Sequence, residues 1–140
     1  MEPTKVAFSL KDYSFEDVEL HLNDIKTDLK LKVDFEPSGV YSEETGNFEL
    51  KFVFKAKRED KEDDNEIIKI CCLANFIFTS TLPFSEIPQY FFSNSIAILF
   101  PYVRAFVSTL TLQANVYPIL LPTMNLISLQ EKLKSNTSVK

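Results

Sequence analysis

The chain has 140 residues, of which 45% are apolar and 25% charged, and its formal net charge is −5. This size and composition are typical of one globular domain, and the acidic balance argues against nucleic acid as a partner. The N-terminus does not resemble a secretory signal, and the most apolar window, 87–103, is interrupted by prolines and polar residues, which argues against membrane insertion. We therefore expect a cytoplasmic protein.

The first predicted strand changes phase along its length. Val6, Phe8 and Leu10 alternate on one side, and the apolar positions then shift to Tyr13 and Phe15. A shift of one residue is what a β-bulge produces, because the bulge adds an unpaired residue to one strand.

Two further strands are predicted from alternation of apolar and charged residues, at 29–35 and at 48–56, where Val53 is the one uncharged residue among the second set. Both glycines and a proline lie in the segment 37–47 between them, which predicts a hairpin connection. The charged run 58–66 predicts a solvated hairpin tip.

The segment 67–78 predicts a strand that is apolar on both faces. Since one helical layer covers one face of a sheet, we expect a second copy of the chain to cover the other. Cys71 and Cys72 are adjacent in this strand and therefore point to opposite faces, so we interpret them as two packed, reduced thiols.

A long helix is predicted next, with Ser85 as N-cap, Pro88 in its first turn and apolar residues at spacings of three and four from Phe92 to Leu110. Pro101 lies inside this helix and predicts a bend. A short second helix is predicted at 128–134, and residues 136–140 are expected to be a disordered tail. One domain thus spans 1–135.

Between the two helices, the segment VYPILLPTMN contains two prolines that exclude regular helix and central strand. It is too apolar for an ordinary exposed loop. One interpretation is that it covers the sheet and completes the core. The other is that its prolines hold extended backbone beside an apolar groove that admits another extended chain. The residues alone favour neither.

Motifs for catalysis are lacking in the sequence. The chain has two glycines, so it has no Gly-rich phosphate loop, and His21 is its one histidine, without a recognisable nucleophile or metal-ligand motif around it. We therefore expect neither enzymatic activity nor a cofactor or metal.

The segment AILFPYVRAFVSTLTLQANVYPILLPTMNL resembles the corresponding part of SecB, the bacterial export chaperone, and KDYSFED resembles that family's acidic, aromatic first-strand motif. The resemblance covers about residues 5–135. It implies an α+β fold: a four-stranded antiparallel sheet with a long helix and a short C-terminal helix packed on one face. It also implies a homotetramer, built as a dimer of dimers.

The resemblance further implies a holdase that binds unfolded preprotein clients in apolar grooves, without ATP, and passes them to the motor SecA. By position, Asp12 and Glu16 correspond to acidic residues that meet SecA. The chain departs from the family pattern at Cys71, where the family has an acidic residue, at 21–28, where a tryptophan-containing stretch is shortened, and at its basic C-terminus.

Apolarity and position select seven candidates for the client groove: Phe78, Phe84, Phe92, Tyr117, Leu120, Leu121 and Met124. Two other functions stay open at this point. One is a SecB-like chaperone dedicated to a single client, such as the antitoxin of a toxin–antitoxin pair. The other, from a different class, is a small-molecule or lipid carrier, because a helix packed on a curved sheet can enclose a cavity.

Overall fold

The computed structural model describes residues 6–22, 30–59, 66–122 and 125–140. The strands are β1 (Phe8–Leu20), β2 (Leu31–Ser42), β3 (Asn47–Arg58), β4 (Glu66–Phe78) and β5 (Thr137–Val139). The α-helices are α1 (Gln89–Gln113) and α2 (Leu126–Ser135), which lie between β4 and β5 in the chain. The strands form one sheet in the order β1-β4-β3-β2-β5. The predicted α+β fold is confirmed, with one more strand than expected.

The strand β1 pairs with β4 and contains two irregularities. The register shifts between Leu10 and Asp12 and again between Phe15 and Asp17. The first shift confirms the bulge that the phase change predicts. The second shift, at Glu16, was not predicted. After Phe15 the strand has too few apolar residues, Val18 and Leu20, to show a second change in the alternating pattern.

The hairpin between β2 and β3 is tighter than the sequence predicts. Pairing continues to Ser42 and Asn47, so the connection is 43–46 rather than 37–47. Gly46, at φ 74°, supplies the left-handed residue of this turn. The other glycine serves packing instead: a Cβ on Gly39 would lie 2.5 Å from Cζ of Phe48, so only glycine leaves room for that buried ring.

The core lies between one face of the sheet and the two helices. Alternate residues of β3 and β4 point into it, and Phe91 of α1 packs against Phe48 and Phe78 with ring centroids 4.8 Å away in both cases. Leu129 and Leu133 bury α2 in the same cluster. Phenylalanine suits this interface because it fills a large volume without a polar atom to satisfy.

The start of α1 corrects the prediction. Ser85 lies in a short 3₁₀ turn, Phe84–Glu86, and the helix begins at Gln89. The reason is Pro88, because the residue before a proline avoids the helical region, and Ile87 is extended at ψ 122°. The helix then continues through Pro101.

The helix α1 is long and apolar enough to cross a membrane by length and composition. Its buried residues, however, pack against the sheet as part of the core. The helix is thus part of the core, and one apolar helix of this kind does not indicate a membrane protein.

The C-terminal segment 136–140, expected to be disordered, contains β5. Its residues pair in parallel with Gly39, Val40 and Tyr41 at the edge of β2. The sequence does not predict this strand, because the three residues TSV are too few to show an alternating pattern. The strand is held by backbone hydrogen bonds, which the side chains do not reveal.

The outer face of the sheet is only partly covered. On β4, Ile68, Ile70 and the other core-facing residues are buried, whereas Cys71, Leu73 and Ile77 on the opposite face are half-buried. The two-sided apolar pattern predicted for this strand is thus present. Its cover by a second copy stays a prediction.

Candidate binding surface

The segment that follows α1, residues 114–122, is irregular and is held by side chains of the helix. Thr111 is fully buried, and its hydroxyl accepts a hydrogen bond from the backbone N–H of Ile119 at 3.0 Å while donating to the carbonyl of Val107. The hydroxyl of Ser108 donates to the carbonyl of Ile119 at 3.4 Å. The backbone of Ile119 therefore finds in α1 the partners that regular structure would otherwise supply.

Anchoring at Ile119 divides the segment between core and solvent. Ile119 and Leu121 are 8% and 2% exposed, whereas Tyr117 and Leu120 are 50% and 71% exposed. From Pro118 to Pro122 buried and exposed residues alternate, as in an extended chain whose successive residues point to opposite sides. Tyr117 precedes this alternating stretch and is exposed as well. The two interpretations of this segment thus apply to different residues: one set completes the core, and the other presents apolar surface.

Six of the seven groove candidates lie in the described residues, and they occupy three different environments. Tyr117 and Leu120 are exposed and Phe84 is half-buried. Phe78, Phe92 and Leu121 are buried, at 4%, 1% and 2% exposure, and in this conformation they cannot contact a client directly. Met124 lies outside the described residues.

Sequence reasoning missed Ser108 and Thr111, which position the loop. Both are polar residues inside an apolar helix, and that was the available signal, since a buried hydroxyl requires a partner. Two other exposed apolar residues flank the loop on its neighbouring elements: Leu112 near the end of α1 and Ile127 in the first turn of α2, at 60% and 74% exposure.

A second exposed apolar surface combines β1 with the outer side of α1. Tyr13 and Tyr102 approach with ring centroids 4.6 Å apart, and Phe15 stacks on Phe106 at 3.9 Å. Both tyrosines are about two-fifths exposed, at 40% and 43%. In the described residues, the outer edge of β1 pairs with no other strand.

The two acidic residues assigned to SecA contact are exposed on β1. Asp12 accepts a hydrogen bond at 2.7 Å from the side chain of Asn75 on β4, which fixes its carboxylate at the outer face of the sheet. Glu16 lies at the second bulge and accepts a hydrogen bond from the hydroxyl of Ser14. Both carboxylates are available to a basic partner.

The cysteines lie on opposite faces of β4, as predicted. Burial raises the pKa of the Cys72 thiol to about 12, and burial also raises the pKa of Cys71, partly opposed by the charge of Lys51. Within the described residues, no cluster of three or more His, Cys, Asp or Glu side chains is arranged to hold a metal ion.

We expect Cys72 to resist thiol reagents in the native protein. In a Cys71→Ser variant at about pH 8, its thiolate fraction is very small, so labelling should wait for unfolding in urea. The neutral thiol also stabilises the fold below its ordinary pKa of 9.0, and that contribution is lost as the pH rises toward 12. A Cys72→Ala variant, in which only Cys71 can react, is the control. Rapid native labelling of Cys72 would contradict the burial.

Comparison with known proteins places this fold and surface in context. The family model for "Preprotein translocase subunit SecB" matches residues 6–136. The uncharacterized protein MJ0357 of Methanocaldococcus jannaschii is 26% identical over 136 residues, covering 94% of this chain and 88% of its own. The Mycobacterium tuberculosis Rv1957 SecB-like chaperone, solved with a ChAD peptide from the Rv1956 HigA1 antitoxin, superposes with a TM-score of 0.67 at 17% identity, covering 84% of this chain and 90% of its own.

Proposed function

Since the chain belongs to the SecB family, whose members are non-enzymatic chaperones, we propose that it is a cytoplasmic, ATP-independent holdase without a cofactor. It binds unfolded preproteins through exposed apolar side chains. The observation that carries this proposal is the exposure of Tyr117 and Leu120 on a loop whose backbone is fixed to α1.

A fixed apolar loop suits a holdase because its binding surface is preformed. Exposed aromatic and aliphatic side chains bind apolar segments of many sequences, since such contacts need no precise hydrogen-bond geometry. Ile119 and Leu121 hold the base of the loop in the core, so a client does not have to order it on binding. Affinity then comes from apolar area removed from water, at about 25 cal/mol per Å² before ordering costs.

We propose a homotetramer, a dimer of dimers, as the working form. Support comes from the surface of Tyr13 and Tyr102, from the outer edge of β1, which no strand of the described residues covers, and from the exposed Ile98 on α1. Long unpaired edges and apolar faces tend to be covered in soluble proteins. Light scattering is expected to give a tetramer at micromolar concentration, and a stable monomer would contradict the assembly.

Delivery to SecA is the further step of this proposal, with Asp12 and Glu16 as the contact residues. Their exposure on one strand supports it, and the contact is expected to weaken with salt because exposed charges are screened. The departure at Cys71 removes one negative charge that the family pattern places on the neighbouring strand.

A chaperone dedicated to one client is the second candidate. The fold neighbour from M. tuberculosis was solved with an antitoxin peptide, so this fold accommodates such a client. The same loop surface would bind it. A dedicated chaperone is expected to hold one partner far more tightly than unrelated unfolded proteins, whereas an export chaperone holds many with similar affinity.

The test is a holding assay with a delivery arm. An unfolded outer-membrane preprotein diluted from denaturant is expected to stay soluble with the chaperone and without ATP, and to aggregate without the chaperone. Adding SecA tests delivery separately, with Asp12→Asn/Glu16→Gln as the variant expected to hold clients normally but to bind SecA less. Aggregation at the same rate with and without the chaperone would refute the holdase.

A further inference from the structure

The edge of β2 is occupied by the chain's own C-terminus. The N–H of Gly39 donates to the carbonyl of Asn136 at 3.2 Å, and the N–H of Lys140 donates to the carbonyl of Tyr41 at 2.8 Å. Between these bonds, β5 runs parallel to β2 with Ser138 opposite Val40. The edge at 39–41 is thus a place where an extended segment already adds to the sheet.

The geometry of β2 confines strand addition to this stretch. Backbone N–H and C=O groups of successive residues in a strand point to opposite sides, so those of the odd-numbered residues of β2, like Gly39 and Tyr41, point away from β3, toward the edge that β5 occupies. Pro37 is the preceding odd residue, and it has no N–H to donate. A proline at this point interrupts the ladder and protects the rest of the edge.

The hold of β5 on this edge depends little on its side chains. Ser138 and Val139 are exposed, the latter at 44%. Thr137 is half-buried, and its hydroxyl donates to the carbonyl of Leu133 at 2.6 Å. Gly39, opposite Thr137, contributes no side chain of its own. A segment held mainly by backbone bonds can be replaced by another segment with more apolar side chains.

The edge also lies within reach of the loop surface. The helix α2 has 10 residues, or about 15 Å, and it connects the end of the loop at Asn125 to β5. An extended client covers this distance with about five residues. Beside the edge, an open cavity of about 440 Å³ is lined by Pro37, Ser38, Lys132 and Asn136, among others, which leaves room for a chain to enter.

We propose that the β2 edge at Gly39–Tyr41 is a strand-addition site for an extended segment of the client, and that β5 is its resting occupant. The inference rests on the proposed holdase function and adds to it a segment, β5, that regulates client binding. A client bound at the loop continues along α2 and displaces β5, so that backbone hydrogen bonds, which are independent of sequence, supplement the apolar contacts. The C-terminus then sets the affinity by competition.

The test locks β5 in place. Val40 and Ser138 face each other in register on the outer side of the sheet, so Val40→Cys/Ser138→Cys in a Cys71→Ser background places two thiols for a disulfide. The matched control, Val40→Cys/Glu49→Cys, staples β2 to β3 and leaves β5 free. The probe is fluorescent, reduced and carboxymethylated α-lactalbumin, a permanently unfolded protein, and its Kd is measured by anisotropy.

We expect oxidation of the β5-locked protein to weaken binding at least fivefold, reversibly on reduction, while oxidation of the control changes nothing. A chain ending at Asn136 should bind severalfold tighter. Equal Kd for the locked, reduced and shortened forms would overturn the strand-addition site and leave the holdase intact. A disulfide between two chains would overturn it in favour of a strand exchanged between copies. Absence of binding by every form would refute the holdase and this site together.

Discussion

The Phe91→Ala variant is expected to lose about 3–5 kcal/mol of unfolding free energy, the range observed for truncating a buried phenylalanine to alanine. Phe91 is fully buried at the start of α1. Its ring contacts the rings of Phe8, Phe48, Phe76, Phe78 and Phe92. Because three of these rings lie only 4.8 Å away and come from three different strands, the cavity left by alanine cannot close without moving the sheet.

Urea unfolding followed by circular dichroism measures this loss, at one fixed protein concentration because assembly adds to the apparent stability. Asn94→Ala is the matched control: Asn94 lies three residues further along α1 and is exposed, so its substitution is expected to change stability by less than about 0.5 kcal/mol. A loss below about 1 kcal/mol for Phe91→Ala would mean that α1 does not depend on this contact.

Much of this core was predictable because its residues follow simple periods. Phe48 and Leu50 alternate with the charged Glu49 and Lys51, and Leu99 and Val103 are spaced by four, so strand and helix are each indicated by where the apolar residues recur. The element boundaries were not predictable in this way. The start of α1 is set by the local backbone restriction at Pro88, and Gly39 lies within β2 rather than in the turn because it packs against Phe48. The strand β5 was missed because it depends on hydrogen bonds to Gly39 and Tyr41, far away in the sequence.

The candidate surface was predictable only as a segment. Apolarity selects Tyr117, Leu120 and Leu121 alike, yet burial divides them, because which residues turn inward depends on the bonds from Ser108 and Thr111 to Ile119. Phe78 and Phe92 were selected for the same reason and lie in the core. Apolarity identifies side chains that are stabilised by removal from water. It does not show whether the protein core or a bound client covers them.

The double variant Tyr117→Ser/Leu120→Ser is expected to bind an unfolded client at least tenfold more weakly. Fully burying one large apolar side chain contributes about 1.5–3 kcal/mol, and each 1.4 kcal/mol is a factor of ten in Kd. Two side chains that are half or more exposed therefore exceed that threshold even after the cost of ordering the client. Titration of a labelled unfolded protein measures the change.

The matched control for this loop is Tyr117→Phe/Leu120→Met, which keeps apolar surface of similar size and is expected to bind like the wild type. Both double variants should unfold within about 0.5 kcal/mol of the wild type, because neither side chain contributes to the core. This separates binding from folding, which Leu121→Ser would not, since Leu121 is buried. If the serine variant holds its client as tightly as the wild type, the client surface lies elsewhere, and the exposed face of α1 with Ile98 and Tyr102 becomes the next surface to substitute.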